Sequence, residues 1–191
     1  MADKKKKKGR RAYLSDYIMD VTGEYVYNGA HYTAQTQGKD FARVVKGVAG
    51  LAFLALTALV GVGCLSTGTT SGAFYVTLPH AVAIVLSAIC IYDSVVVFRS
   101  KGRMKEHQYD SSVPRLKGCS MAGAVCALAA ALGQTGYTVF KGTEATRAAD
   151  IVFLIGCFAA AGLLYLAFAT KKQIMWQKDT QKVQKSIDNN G

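Results

Sequence analysis

Residues 44–65 read VVKGVAGLAFLALTALVGVGCL and contain a single charged side chain, that of Lys46. Between Gly50 and Leu56 the stretch is apolar on every face of a helix, so it has no side that favours contact with water. A helix needs roughly 20 apolar residues to cross a hydrocarbon core about 30 Å thick. The stretch is long and apolar enough to predict a transmembrane helix.

Three further stretches of the same kind follow along the chain. The four predicted spans cover residues 44–65, 73–98, 118–139 and 149–170. Hydrophobic residues make up 51% of the 191 residues, which leaves too little polar surface to cover a water-soluble bundle with helices of this kind. We therefore predict an all-α membrane protein in which residues 43–170 form a four-transmembrane-helix bundle.

The positive charge of the chain is distributed according to these spans. The formal net charge is +11, and 20 of the 23 lysines and arginines lie in the segments before the first span, between the second and third, and after the fourth. Lys46, at the start of the first span, adds one more on the same side. Short basic segments stay on the cytoplasmic side of a membrane. We expect both termini to be cytoplasmic, with residues 171–191 forming a cytoplasmic tail that is able to extend the fourth helix. Residues 99–117 are expected to form a polar cytoplasmic loop in which Pro114 breaks any helix before the third span. Without a signal for cleavage or for disulfide formation, this bias is typical of a bacterial plasma membrane.

The first eleven residues form a polybasic arm that we expect to be disordered, because its charges repel one another. Next to a bilayer these charges would attract anionic lipid headgroups. A simple topology signal is the favoured explanation of the arm, a lipid contact is the alternative, and nucleic acid is an unlikely partner. The basic side chains of this predicted lipid-surface contact are Lys4, Lys5, Lys6, Lys7, Lys8, Arg10 and Arg11.

Residues 12–42 are predicted to form a small cytoplasmic cap. Residues 12–22 carry apolar side chains at helical spacing, which predicts an amphipathic helix. Asn28-Gly29 favours a type I′ turn, so the tyrosine-rich segments on either side predict a β-hairpin. In that hairpin Tyr27 would face Ala30, Val26 would face His31, and Tyr25 would face Tyr32.

Asp93 is a carboxylate inside the second predicted span, and a charge in lipid costs at least a few kcal/mol unless it is compensated. It lies roughly 8 Å from the cytoplasmic boundary at 1.5 Å per helical residue. An intramembrane salt bridge is the favoured interpretation, and an ion-coupling or proton-binding carboxylate is the alternative. The candidate partners are Lys46, Lys117 and Arg99.

Polar residues also occur in the outer half of the spans. Pro79 interrupts the hydrogen bonds of the second span and precedes His80, whose ordinary pKa lies near neutrality. These side chains either form an outward-facing ligand or proton site or make hydrogen bonds that fix the bundle. The candidate residues are His80, Gln134, Tyr137 and Asp150.

No sequence pattern indicates catalysis. The three histidines lack zinc-ligand spacing, the five cysteines form no Cys-x-x-Cys pair, and there is no phosphate-binding loop. We therefore predict no catalytic residue, metal or cofactor. Glycine and alanine recur along the spans and allow close helix packing, within the chain, in a homo-oligomer or against another membrane protein. The predicted function is a non-enzymatic scaffold, accessory or regulatory subunit; the alternative is a small transporter or channel component using the outer polar site.

Overall fold

The computed structural model describes residues 17–19, 23, 25–27, 29–36, 38–65, 73–141, 147–171 and 173–179. Four long helices dominate it: α1 (Gly38–Gly63), α2 (Phe74–Arg99), α3 (Glu106–Lys141) and α4 (Arg147–Lys171). The described ranges also contain five short strands. These are β1 (Tyr17–Met19), β2 (Tyr25–Tyr27), β3 (His31–Ala34), β4 (Arg103–Lys105) and β5 (Trp176–Asp179).

All four helices are long and apolar enough to cross a membrane, which confirms the four predicted apolar spans. Large apolar side chains cover the outside of the bundle as well as its inside. Phe53, Leu132 and Ile155 expose 59%, 65% and 60% of their surface. Exposed apolar surface on this scale is unfavourable in water and is suited to contact with lipid.

The helices pack in a ring in which each contacts the preceding and the following helix, and α4 closes against α1. Small side chains let the backbones approach. A Cβ atom added to Gly156 of α4 would lie 2.2 Å from Val62 Cγ1 of α1, and one added to Gly123 of α3 would lie 3.1 Å from Leu164 Cδ1 of α4. The centre of the ring consists largely of buried alanines, among them Ala55, Ala83, Ala127, Ala130 and Ala160.

A three-stranded antiparallel sheet covers one end of the bundle, which we call the cap end. Its order is β4-β3-β5, so it joins a segment preceding α1, the connection between α2 and α3, and the segment following α4. Ala34 and Met104 are buried against Phe41, Val97 and Val113 of the helices. The three segments therefore lie at the same end of the molecule.

The predicted β-hairpin is wrong, because β2 does not pair with β3. Strand β2 pairs with β1, with Tyr27 opposite Tyr17 and Tyr25 opposite Met19. Strand β3 uses one edge for β4 and the other for β5. A two-stranded hairpin alone is marginal in water, whereas a three-stranded sheet packed on helices buries apolar side chains.

The helix predicted over residues 12–22 is also wrong for its described part, because Tyr17–Met19 is a strand. Pairing with β2 supplies backbone hydrogen bonds to this segment and overrides its helical spacing. The polybasic arm at residues 1–11 lies outside the described residues.

Two helix boundaries differ from the sequence-based expectations. Helix α3 starts at Glu106 and runs through Pro114, where a break before the third span was predicted. Proline removes a hydrogen bond to the carbonyl four residues earlier, that of Asp110. Both residues are exposed at the cap end, where the helix tolerates a freed carbonyl. Helix α4 ends at Lys171, and the segment from Trp176 pairs as a strand.

Candidate functional site

An ion pair links α2 to α3 near the cap end. Arg115 Nε donates to Asp93 Oδ2 at 2.9 Å, and Arg115 Nη2 donates to Asp93 Oδ1. The Asp93 side chain is fully buried, whereas that of Arg115 is about half exposed and lies 6.0 Å from the Tyr92 ring centroid. A two-point contact of this kind compensates the carboxylate and fixes the relative position of the two helices.

The sequence predicted the salt bridge at Asp93 but assigned the wrong partner. Arg115 takes the place of Lys46, Lys117 and Arg99, none of which lies within ion-pairing distance of Asp93 in the described structure. Lys46 Nζ instead lies 5.4 Å from the ring centroid of Phe98. Arg115 was missed because it was placed in a loop ended by Pro114. A helix continuing through that proline would have carried Arg115 toward α2.

At the opposite end of the bundle a buried hydrogen bond links α3 to α4. Gln134 Nε2 donates to Asp150 Oδ1 at 2.9 Å. Both side chains are buried, with exposures of 0% and 1%. Asp150 lies in the first turn of α4, where the helix dipole favours a carboxylate. Tyr137 follows Gln134 on α3 and packs, partly buried, against the same apolar core.

His80 lies deeper in the bundle and joins α2 to α4. Its Nδ1 atom is 3.7 Å from Cys157 Sγ, and its ring centroid is 5.0 Å from that of Phe153. A Cβ atom on Gly63 of α1 would lie 3.0 Å from Nε2, so the glycine leaves room for the ring. The Leu59 carbonyl interacts with the imidazole. Even so, Nε2 is buried, and no atom of the described residues meets it in hydrogen-bond geometry.

The predicted outer site contains two polar contacts in the described structure. Gln134 is hydrogen-bonded to Asp150, and His80 contacts Cys157. Asp150, Phe153 and Cys157 recur at helical spacing on one face of α4, and the Phe153 ring lies against that of His80. These groups can exchange or hold a proton or fix the helices, and their role as a ligand or proton site stays a prediction.

The cap contains a second polar cluster, centred on Tyr27. Its hydroxyl donates to the Ala30 carbonyl and accepts from the Glu106 amide, each at 3.2 Å. The His31 ring centroid is 5.2 Å from that of Tyr27, and Lys105 Nζ lies 5.2 Å above the same ring. Tyr27 thereby joins β2 to the start of α3.

The pKa of His31 is lowered from its ordinary value of 6.5. Burial is the main cause, and the positive charges of Arg103 and Lys105 act in the same direction. The negative charge of Asp179, its partner residue on β5, opposes them. The neutral imidazole is thus the form that the folded cap favours.

The described residues bring no three histidine, cysteine, aspartate or glutamate side chains together in a way that could hold a metal ion. The fold and the buried polar contacts place the chain in the class of multi-pass helical membrane proteins with four apolar spans. Comparisons with known protein families, with curated proteins and with solved structures gave no match.

Proposed function

We propose that this protein is a non-enzymatic scaffold or accessory subunit of a membrane complex. The observation that carries the proposal is a set of glycines on the lipid-facing side of α1. Gly47, Gly50 and Gly61 are exposed, and a Cβ atom added to any of them would meet no atom of the described residues within 4 Å. Packing within the chain gives no reason for small residues there, whereas close approach of another helix does.

The intramembrane polar groups support the same proposal. Asp93 with Arg115, Gln134 with Asp150, and His80 with Cys157 each connect two different helices. Contacts of this kind give a bundle a fixed shape, which a scaffold needs in order to present one face to a partner.

We propose further that the cap end faces the cytoplasm and that the membrane is a bacterial plasma membrane. The basic residues that precede α1, connect α2 to α3 and follow α4 support this orientation through the positive-inside rule.

The variant Gly50→Leu tests whether the exposed glycines of α1 contact a partner helix. It adds a side chain at a position where the chain itself leaves room for it. Wild-type protein extracted in mild detergent should migrate as a complex larger than the monomer on a native gel. Gly50→Leu should release the monomer, while Gly162→Leu, on the exposed side of α4, should retain the complex. A wild-type monomer that also fails to cross-link in native membranes contradicts the proposal, as does a Gly50→Leu variant that keeps its partner.

One observation favours the transport alternative, namely the buried Nε2 of His80, which no atom of the described residues meets in hydrogen-bond geometry. Transport would use the region of His80, Gln134 and Asp150. Replacing His80 or Asp150 with alanine should then abolish solute flux in vesicles at unchanged folded yield. Loss of folded yield, or unchanged flux, supports the structural role.

A further inference from the structure

A groove runs between α3 and α4 on the outer surface of the bundle. Its volume is about 300 Å³. Ala124 and Ala161 are nearly fully buried at its floor, and the partly exposed side chains of Met121, Phe158 and Tyr165 form its walls. The groove is almost entirely apolar and lies in the part of the helices that is able to span a bilayer.

The groove has a defined direction because α3 and α4 are antiparallel. Gly123 contacts Leu164, and Gln134 bonds to Asp150, so residue numbers rise along α3 as they fall along α4. Met121 and Tyr165 therefore lie at the cap end of the groove, and Leu128 and Phe158 lie deeper. Tyr165 lies roughly 9 Å before the end of α4, and tyrosines are enriched where a bilayer meets water.

Positive charge lies at this end of the groove. Lys117 precedes Met121 by one helical turn on the same face of α3, and its side chain is exposed. Lys117 is also close enough to Lys171 of α4 for the two ammonium groups to repel. The carboxylate nearby is Asp93, which Arg115 already engages. Across the described residues, neither lysine has a carboxylate within ion-pairing distance.

The positive charge at the end of the groove determines which kind of molecule fits the groove best. A second copy of the chain docking through this groove would bring another Lys117 and no carboxylate of its own groove. A phospholipid with a net negative headgroup supplies both an apolar chain and a compensating charge. Given that the helices lie in a bilayer, we propose that the groove holds one acyl chain of an anionic phospholipid, with the phosphate contacting Lys117 and the Tyr165 hydroxyl.

Two pairs of variants separate the chain from the headgroup. Gly162→Leu fills the groove, and its matched control Gly50→Leu adds the same side chain on α1. Neither glycine has an atom of the described part of the chain within 4 Å of its Cβ position. Lys117→Gln removes the charge at the groove, and its control Arg99→Gln removes an exposed charge from the end of α2. Equal melting temperatures in detergent establish that each variant folds.

The measurement is lipid binding by native mass spectrometry, with phosphatidylglycerol and phosphatidylcholine of identical acyl chains. Wild-type protein should bind phosphatidylglycerol more tightly. Lys117→Gln should weaken phosphatidylglycerol binding about fivefold and leave phosphatidylcholine unchanged, because one basic residue contributes that much at an anionic surface. Gly162→Leu should weaken both lipids, and the two controls should weaken neither.

Equal affinity of the wild type for the two lipids overturns the proposal, and so does phosphatidylglycerol binding that Lys117→Gln does not change. If Gly162→Leu separates a dimer without altering lipid binding, the occupant of the groove is a second copy of the chain, and the lipid proposal is also overturned. Lys117 is on the surface, so its substitution remains informative if Gly162→Leu fails to fold. The proposed scaffold depends on Gly50 and the size of the complex, so either proposal can fail without the other.

Discussion

Among single residues, Arg115 has the greatest effect that the structure allows us to predict. Arg115→Gln would leave the fully buried Asp93 carboxylate without its guanidinium partner. Removing one member of a buried pair costs about 3–5 kcal/mol, and we expect about 3 kcal/mol because Arg115 itself is half exposed. The free energy of unfolding from a denaturant titration in detergent micelles measures this loss.

The double variant Asp93→Asn/Arg115→Gln is the control for the ion pair. It replaces both charges by neutral amides, so it should recover more than 1 kcal/mol of the loss caused by Arg115→Gln alone. A double variant as unstable as Arg115→Gln would mean that the arginine acts through packing and not through Asp93.

The lowered pKa of His31 predicts how the stability of the cap depends on pH. Its lowered pKa means that the folded cap binds fewer protons than the unfolded chain between the folded pKa and 6.5. The contribution of neutral His31 is therefore complete above pH 6.5 and declines as the pH falls toward the folded pKa. Trp176 is the sole tryptophan and lies in β5, so its fluorescence reports on the cap.

We expect the denaturant concentration at the midpoint of the Trp176 fluorescence change to decrease as the pH is lowered from about 8 to about 5. His31→Gln should reduce this dependence. His107→Gln, which alters the other histidine near Tyr27, should leave the part due to His31 in place. An unchanged pH profile in His31→Gln would refute the assignment.

Among the helical glycines of the described structure, Gly156 of α4 has the closest neighbour, Val62 of α1. Gly156→Ala would bring a Cβ atom to within 2.2 Å of Val62 Cγ1, so the helices must separate or Val62 must rotate. Overpacking of this kind costs about 1–3 kcal/mol. Gly162→Ala on the same helix meets no atom within 4 Å among the residues that the structure describes, and it should be neutral or stabilising by up to about 1 kcal/mol.

Thermal unfolding in detergent distinguishes these two variants. Adding Val62→Ala to Gly156→Ala should recover part of the loss, because it removes the methyl group that the new Cβ meets. Equal melting temperatures for Gly156→Ala and Gly162→Ala would exclude a tight contact between α4 and α1.

The helices were predictable because their information is local. Each span is a long, predominantly apolar segment that is able to cross a membrane by its own length and composition. The cap was not predictable in the same way. The partners of β3 lie in β4 and β5, far along the chain, so the Asn28-Gly29 signal was overridden by pairing that no local pattern encodes.

For the candidate polar sites, the need for a polar partner was predictable from the sequence, whereas the identity of that partner depended on the fold. That Asp93 would be compensated followed from the cost of a charge in lipid. That Arg115 would compensate it depended on α3 continuing through Pro114, a helix length set by packing at the cap end. Gln134 and Asp150 were grouped by depth and do meet, whereas the contacts of His80 with Cys157 and Phe153 were not predicted.

On the scale of the whole molecule, the cap sheet restricts how the chain can cross a bilayer. It holds the segment before α1, the α2–α3 connection and the segment after α4 at one end. Four crossings satisfy this arrangement because an even number returns the chain to its starting side. The ends of α1 and α3 far from the cap then face the opposite side of the membrane, where Cys64 is exposed.

Thiol labelling converts this arrangement into a prediction about orientation. With the cap in the cytoplasm, a membrane-impermeant maleimide applied to intact cells should label Cys64, and Cys64→Ala should remove the signal. Cys90 and Cys157 are buried and should not contribute. Lys101→Cys, placed in the Cys64→Ala background on an exposed turn of the cap end, should react only after the membrane is permeabilised.

If Lys101→Cys is labelled in intact cells and Cys64 is protected, the orientation is the reverse of the one proposed, and the positive-inside argument fails. Labelling of both positions from one side would be incompatible with four crossings, because the structure places them at opposite ends of the bundle.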